Sequence, residues 1–120
     1  MAVSVYSSMK ESENQIAVFL RELNLWWQYE FPVFVFDEKE RPRVWSPAFF
    51  IPKLGIYIEV CGSKNFDYNY RKKIYKKNQI NVIFVHFYKN QIKWKNYLVA
   101  RIKEIEEKRH KDVMEKLAYA

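Results

Sequence analysis

The sequence holds one cysteine, two glycines and four prolines in 120 residues. A lone Cys61 excludes an internal disulfide framework and any zinc site built from several thiolates. It sets the expectation of a reducing, cytoplasmic setting, a host's cytoplasm for a viral chain. So little Gly and Pro excludes collagen-like and linker-like composition. Long apolar runs are also missing: Val82 to Val85 is far too short to cross a bilayer. The opening MAVSVYSSMKESENQ has no basic start followed by an apolar stretch, so no signal peptide and no membrane partner are expected.

What is present is apolar and aromatic material, 49 % hydrophobic and 18 % aromatic, enough for one core in one domain over residues 1–120. The net charge is +7, unevenly spread. Residues 1–60 carry 6 basic and 8 acidic side chains, and residues 61–120 carry 15 and 6. Between Lys64 and Lys95, 9 basic residues face only Asp67. Such a basic half suits a polyanionic partner, and equally a solvated lysine-rich surface.

The chain reads as an αβββαβα unit. Glu11 to Leu25 places Ile16, Ala17, Phe19, Leu20 and Leu23 at helical spacing, with Ser7 or Ser8 as cap. Trp26 to Phe36 reads as one strand, bent or at an edge near Pro32. Asp37 to Arg43 is a polar turn. Residues 47–51 and 56–60 are short strands joined by Pro52-Lys53-Leu54-Gly55. Residues 66–78 form a helix with Phe66, Tyr70 and Ile74 in step and Asn78 as its stop. Residues 80–87 are apolar on both parities, as in a central strand covered on both faces. A long helix begins near Lys93, with Trp94, Leu98, Ile102, Ile105, Val113 and Leu117 apolar and Glu104/Lys108, Glu107/Lys111 and Asp112/Lys116 as i,i+4 pairs.

A hairpin with its tip at Lys53 and Leu54 sets Ile51 opposite Ile56, Phe50 opposite Tyr57 and Ala48 opposite Glu59. Directly opposed Cβ atoms lie about 5 Å apart. Glu59 is then a carboxylate within the apolar run IYIEV. Either it points to water from an edge strand, or it is paired or bound to a cation.

SPAFFIPKLGIYIEVCG resembles the signature of the PD-(D/E)XK nuclease superfamily, Pro-Asp on one strand and Glu-x-Lys on the next. WWQYEFPVFV, with Glu30 before Pro32, is similar to members carrying a YE-x-P strand after the first helix. The resemblance runs from Glu11 to about Phe87. It implies a restriction-endonuclease-like αβββαβ core with a mixed central sheet, here followed by a long C-terminal helix. Glu13 is placed like the family's first-helix Glu, Ala48 like its Asp, Glu59 like the second acid and Cys61 like the Lys.

Two departures follow. Ala48 offers no ligand where Mg²⁺ needs hard oxygens. It marks either a replaced Asp in an inactivated form or a naturally degenerate member. Cys61 is mostly protonated at neutral pH and does not replace the Lys. Lys64, Arg71 and Lys72 are candidates for that role.

By the same resemblance the protein is a Mg²⁺- or Mn²⁺-dependent DNA endonuclease, disabled at position 48. Glu13, position 48, Glu59 and the carbonyl of Val60 hold the metal. Lys64, Arg71, Lys72, Lys73, Lys76 and Lys77 contact nucleic acid, with Tyr68 and Tyr75 interleaved, although for Lys73 and Lys77 a solvated helix face is as good a reading. The resemblance extends to homodimeric members that resolve Holliday junctions, the dimer contact coming from the last helix or a sheet edge. The alternatives are a non-catalytic nucleic-acid-binding or scaffolding protein with a degenerate site, and a small module whose basic face binds an acidic protein. His86 reads as a core histidine and His110 as a surface one.

Overall fold

The structure, a computed structural model, describes residues 5–63, 66–87 and 93–119. A 3-10 turn over Val5–Ser8 precedes the first helix, α1 (Glu11–Glu22). α1 buries Ile16, Ala17 and Leu20, the inward stripe of an amphipathic helix. Neither serine caps it, because both lie within the preceding turn. Lys10 takes the cap position instead, and its backbone N–H donates to Glu13 Oε1 at 2.9 Å.

Trp26 to Phe36 does not form one strand. It divides into β1 (Gln28–Tyr29) and β2 (Val33–Phe36), which lie in different sheets. Glu30 has a left-handed φ of 52° and Pro32 has no N–H, so no ladder runs through them. β2 pairs antiparallel with β3 (Pro42–Trp45), a strand that lies partly in the expected turn.

Asp37 organises that hairpin. Its buried carboxylate accepts the backbone N–H groups of Lys39 and Arg41, each at 2.9 Å, and the Nε atoms of Arg41 and Arg43 at 3.2 and 3.1 Å. The backbone bond from Arg41 is foremost in holding this carboxyl well below the usual carboxylate range. The sequence shows only a charged stretch there, because the four donors converge only once the turn has closed.

β4 (Phe49–Ile51) and β5 (Ile56–Cys61) form the expected hairpin, with Phe49, Phe50 and Ile51 opposite Ile58, Tyr57 and Ile56. The N–H groups of Leu54 and Gly55 close the turn on Ile51 O at 3.1 and 2.8 Å. Gly55 has a φ of 63°, and a Cβ there would meet the Arg109 guanidinium at 3.3 Å. α2 (Asn69–Lys77) follows, three residues later than expected at its start. Asp67 Oδ1 accepts the N–H of Asn69 at 2.9 Å, ahead of the helix proper.

Asn78 does end α2. Its amide donates to Ile74 O at 2.8 Å and exchanges 2.9 Å bonds with both backbone groups of Phe36. The helix is thereby tied to the β2–β3 sheet. Lys77 reinforces the tie, donating to Asp37 O at 2.6 Å and pairing with Glu40.

β6 (Val82–His86) runs parallel to β5, completing a mixed sheet of order β1-β4-β5-β6. β6 is therefore an edge strand. Its unbroken apolarity reports coverage of both faces, which says nothing about pairing on both sides. One face packs Ile58, Ile83 and Val85 against α1 and the last helix, α3 (Trp94–Ala118). The other packs Cys61 and Phe84 against Ile74 and Tyr75 of α2 and Val33 and Val35 of β2.

α3 buries Trp94, Leu98 and Ile105, with Ile102 partly buried, whereas Val113 and Leu117 are exposed beyond the sheet. None of the expected i,i+4 pairs on this helix is an ion pair. Arg101 pairs with Glu104, Arg109 with Glu106 and Lys111 with Glu115. Arg109 also donates to the carbonyls of Leu54 and Gly55, clasping the β4–β5 turn. Among the described residues no helix is long and apolar enough to cross a membrane. The architecture is thus α/β, with a mixed sheet and a C-terminal helix.

Candidate functional site

Side chains alternate along β5. Ile56, Ile58 and Val60 join the α1–α3 side, while Tyr57 and Cys61 join the α2 side. Glu59 shares the latter parity and meets α2. Its Oε2 accepts Arg71 Nη1 at 2.6 Å and Tyr75 Oη at 3.2 Å. The Glu59 side chain is 12 % exposed and that of Arg71 30 %. The carboxylate is therefore paired rather than pointing freely to water. Burial lowers the guanidinium pKa, but Glu59 outweighs burial and the net shift is upward. Burial and then Glu59 push the Tyr75 hydroxyl far up, so it stays a donor at any physiological pH. The Arg71 guanidinium also lies 4.7 Å from the Trp45 ring centroid, which fixes its plane.

This group opens onto a pocket of about 560 Å³, lined by Lys10, Ser46, Glu59, Val60, Gly62 and Arg71 among others. Lys10 carries no signal of its own in the sequence, and Ser46 only that of a flank of position 48 in SPAFF. Lys10 precedes the first helix, and Ser46 belongs to a segment read for its Pro-x motif. The packing of α1 against the sheet places Lys10 there, and the pairing of β4 with β5 places Ser46.

The other expected site residues are placed as follows. Continuing the β4–β5 register sets position 48 opposite Glu59. β4, however, begins at Phe49. Ala48 occupies a bend, its carbonyl accepts the N–H of Glu30 at 2.9 Å, and it is 7 % exposed within the α1-side cluster. Positions 48 and 59 are thus register neighbours whose side chains pack with different layers.

Glu13 accepts Tyr29 Oη at 2.9 Å and does not line the Glu59 pocket. Burial, then Glu13 and Glu30, push the Tyr29 hydroxyl strongly upward. Val60 lines the pocket. Lys64 lies outside the described residues. Lys73 is exposed, Lys72 and Lys76 face a different groove, and Lys77 is spent on Asp37 and Glu40. Cys61 is fully buried, so the position matched to the family Lys opens into packed core. Tyr68 stands edge-on to His86, with ring centroids 5.5 Å apart.

These residues do not make a divalent-cation cage. Among the described residues Glu59 is the one carboxylate lining the pocket, and a guanidinium already neutralises it. Among the described residues no three His, Cys, Asp or Glu side chains stand together as a ligand set. With Ala48 in place, a hard cation would have to displace Arg71 and find its remaining oxygens elsewhere. The arrangement as it stands is a charge-matched Glu59–Arg71 pair, with Lys10 nearby, beside a shallow polar pocket. Comparison with family models, curated proteins and solved structures finds no match.

Proposed function

We propose that this chain is a DNA endonuclease of the PD-(D/E)XK kind, in a form that binds DNA but whose cleavage is disabled by Ala48. The observation that carries the reading is the β4–β5 register. Continued one residue beyond β4, that register brings position 48 beside a mostly buried Glu59, although the Ala48 side chain packs with the α1-side layer. The order β1-β4-β5-β6, with β5 and β6 parallel, supports the restriction-endonuclease-like core that the signature implies; the β2–β3 hairpin is an addition to it.

In this reading Mg²⁺ or Mn²⁺ is the cofactor of the complete enzyme, supplying an activated water and charge stabilisation at the phosphate. The Ala48 form does not fit that ion. What this chain's residues supply is a neutralised, half-shielded Glu59–Arg71 pair, the nearby Lys10 and a basic exterior. Branched or junction DNA is the substrate class suggested by the resemblance. A homodimer follows from the same source, and the exposed Val113, Met114 and Leu117 near the end of α3 support it.

The second reading is a nucleic-acid-binding or scaffolding protein without catalysis. Two observations favour it: the Arg71 ion pair on Glu59, and Ala48 packed toward the α1 side. Ala48→Asp separates the two. Divalent-dependent nicking of supercoiled or branched DNA, lost again in Ala48→Asp/Glu59→Gln, is the result expected of a nuclease. Intact folding with DNA binding and no nicking is the result expected of a scaffold.

A further inference from the structure

A concavity larger than the Glu59 pocket lies elsewhere. It is a groove of about 790 Å³ running along the open edge of β6, with α2 as one wall and α3 as the other. Lys72 and Lys76 project from the α2 wall, and Arg101, Lys108 and Lys116 from the α3 wall; Asp112 is the one acidic lining residue. Lys108 and Lys116 are two of the lysines expected to pair along α3. Among the described residues neither they nor Lys72 or Lys76 has a carboxylate partner. Lys72 Nζ instead lies 5.3 Å from the Phe84 ring centroid. These four lysines, without carboxylate partners along one concave face, repel each other, which a polyanion would relieve.

The groove carries a second feature. Tyr97 lies on the α3 wall, 44 % exposed, a large ring left open to solvent among cations. From Tyr97 to Lys116 the wall is about 28 Å long at the helical rise per residue. A basic trough with an exposed aromatic is the chemistry that holds single-stranded nucleic acid, the cations on phosphates and the ring under a base.

We propose that this groove binds an unpaired strand of nucleic acid. The proposal deepens the DNA-binding part of the reading above and rests on it, but requires no cleavage. Its relation to Glu59 is direct: Arg71 lines the Glu59 pocket and the next residue, Lys72, lines the groove. The two sites come closest in the chain at Arg71 and Lys72 of α2, where the lining of one gives way to that of the other.

The test uses the full chain with Ala48, no divalent ion, and a labelled 12-nucleotide single strand followed by fluorescence anisotropy. Four phosphate contacts give a log–log salt slope of about −2.8, so affinity should fall about 50-fold between 50 and 200 mM KCl. In K72Q/K108Q/K116Q, one contact remains and the fall should shrink to about 3-fold. Tyr97→Ala should weaken binding about 5-fold or more. The exposed pair K39Q/K103Q, off the groove, should leave the slope unchanged. An unaltered slope in the triple variant overturns the proposal. So does equal or tighter binding of a duplex of the same length, or displacement of the strand by a poly-glutamate peptide at matched charge, which would make the groove a peptide site. Nicking by Ala48→Asp alongside any of these results would sink the groove and spare the nuclease reading. Loss of nicking with the salt behaviour intact would do the reverse.

Discussion

Arg71 and Glu59 offer the sharpest energetic test of the site. Their contact is 2.6 Å, with Glu59 12 % and Arg71 30 % exposed. A buried pair broken from one side costs about 3–5 kcal/mol, because the remaining charge is stranded. An exposed pair costs about 0–1 kcal/mol. Arg71 is nearly a third exposed, and Tyr75 still donates to Glu59 when the guanidinium is gone. Arg71→Gln should therefore cost about 2 kcal/mol, or roughly 8 °C in Tm for a domain of this size. Glu59→Gln should cost less, since it leaves a cation that can turn to solvent. The double variant should lose little beyond Arg71→Gln alone. Urea unfolding of all four proteins gives the coupling energy, expected at about 1.5 kcal/mol. A coupling below about 0.5 kcal/mol would mean that the pair behaves as a surface contact and that Glu59 is not the shielded group described here.

Asp37→Asn should destabilise the protein at pH 7 by weakening the four-donor turn. The native carboxyl titrates below the ordinary value of about 3.9, so its stabilisation is full above that value and is lost as pH falls toward the depressed one. The gap between wild type and variant should hold steady from pH 7 to about 5 and narrow below about pH 4 in urea titrations; a gap constant down to pH 3 would contradict this. Cys61→Lys, which installs the residue that the PD-(D/E)XK signature carries at the matching position, should cost more than about 3 kcal/mol, because position 61 is fully enclosed by Ile74, Tyr75 and Phe84. Wild-type stability in that variant, measured by thermal unfolding, would show that the position opens to solvent.

The parts of the fold legible in the sequence are those set by local pattern. The stripe of α1, the β4–β5 register and the Asn78 stop each rest on spacing within a few residues. β3 was hidden because its formation depends on Asp37 gathering donors from three residues, and because Pro42, Arg43 and Val44 do not alternate as a half-buried strand does. β6 revealed its covered faces but not its free edge, since pairing partners leave no mark on a strand's own hydrophobicity. For the candidate site, the prominence of Glu59 was visible as a carboxylate in an apolar run. In the sequence its partner Arg71 reads as a group for phosphate or water, and Tyr75 as one for nucleic acid. That the two bond Glu59 depends on how α2 lies across the sheet. The separate layers of Ala48 and Glu59 depend on where β4 begins, a one-residue matter that register arithmetic does not decide.

Position 48 decides most directly between a nuclease and a non-catalytic protein. Isothermal titration of Mn²⁺ into Ala48→Asp, beside the Ala48 chain and Ala48→Asp/Glu59→Gln, tests whether an acid there shares one ion with Glu59. The expected result is saturable binding in the single variant only, accompanied by nicking of supercoiled DNA. A folded Ala48→Asp protein that takes up no more Mn²⁺ than the Ala48 chain would contradict the nuclease reading at its root.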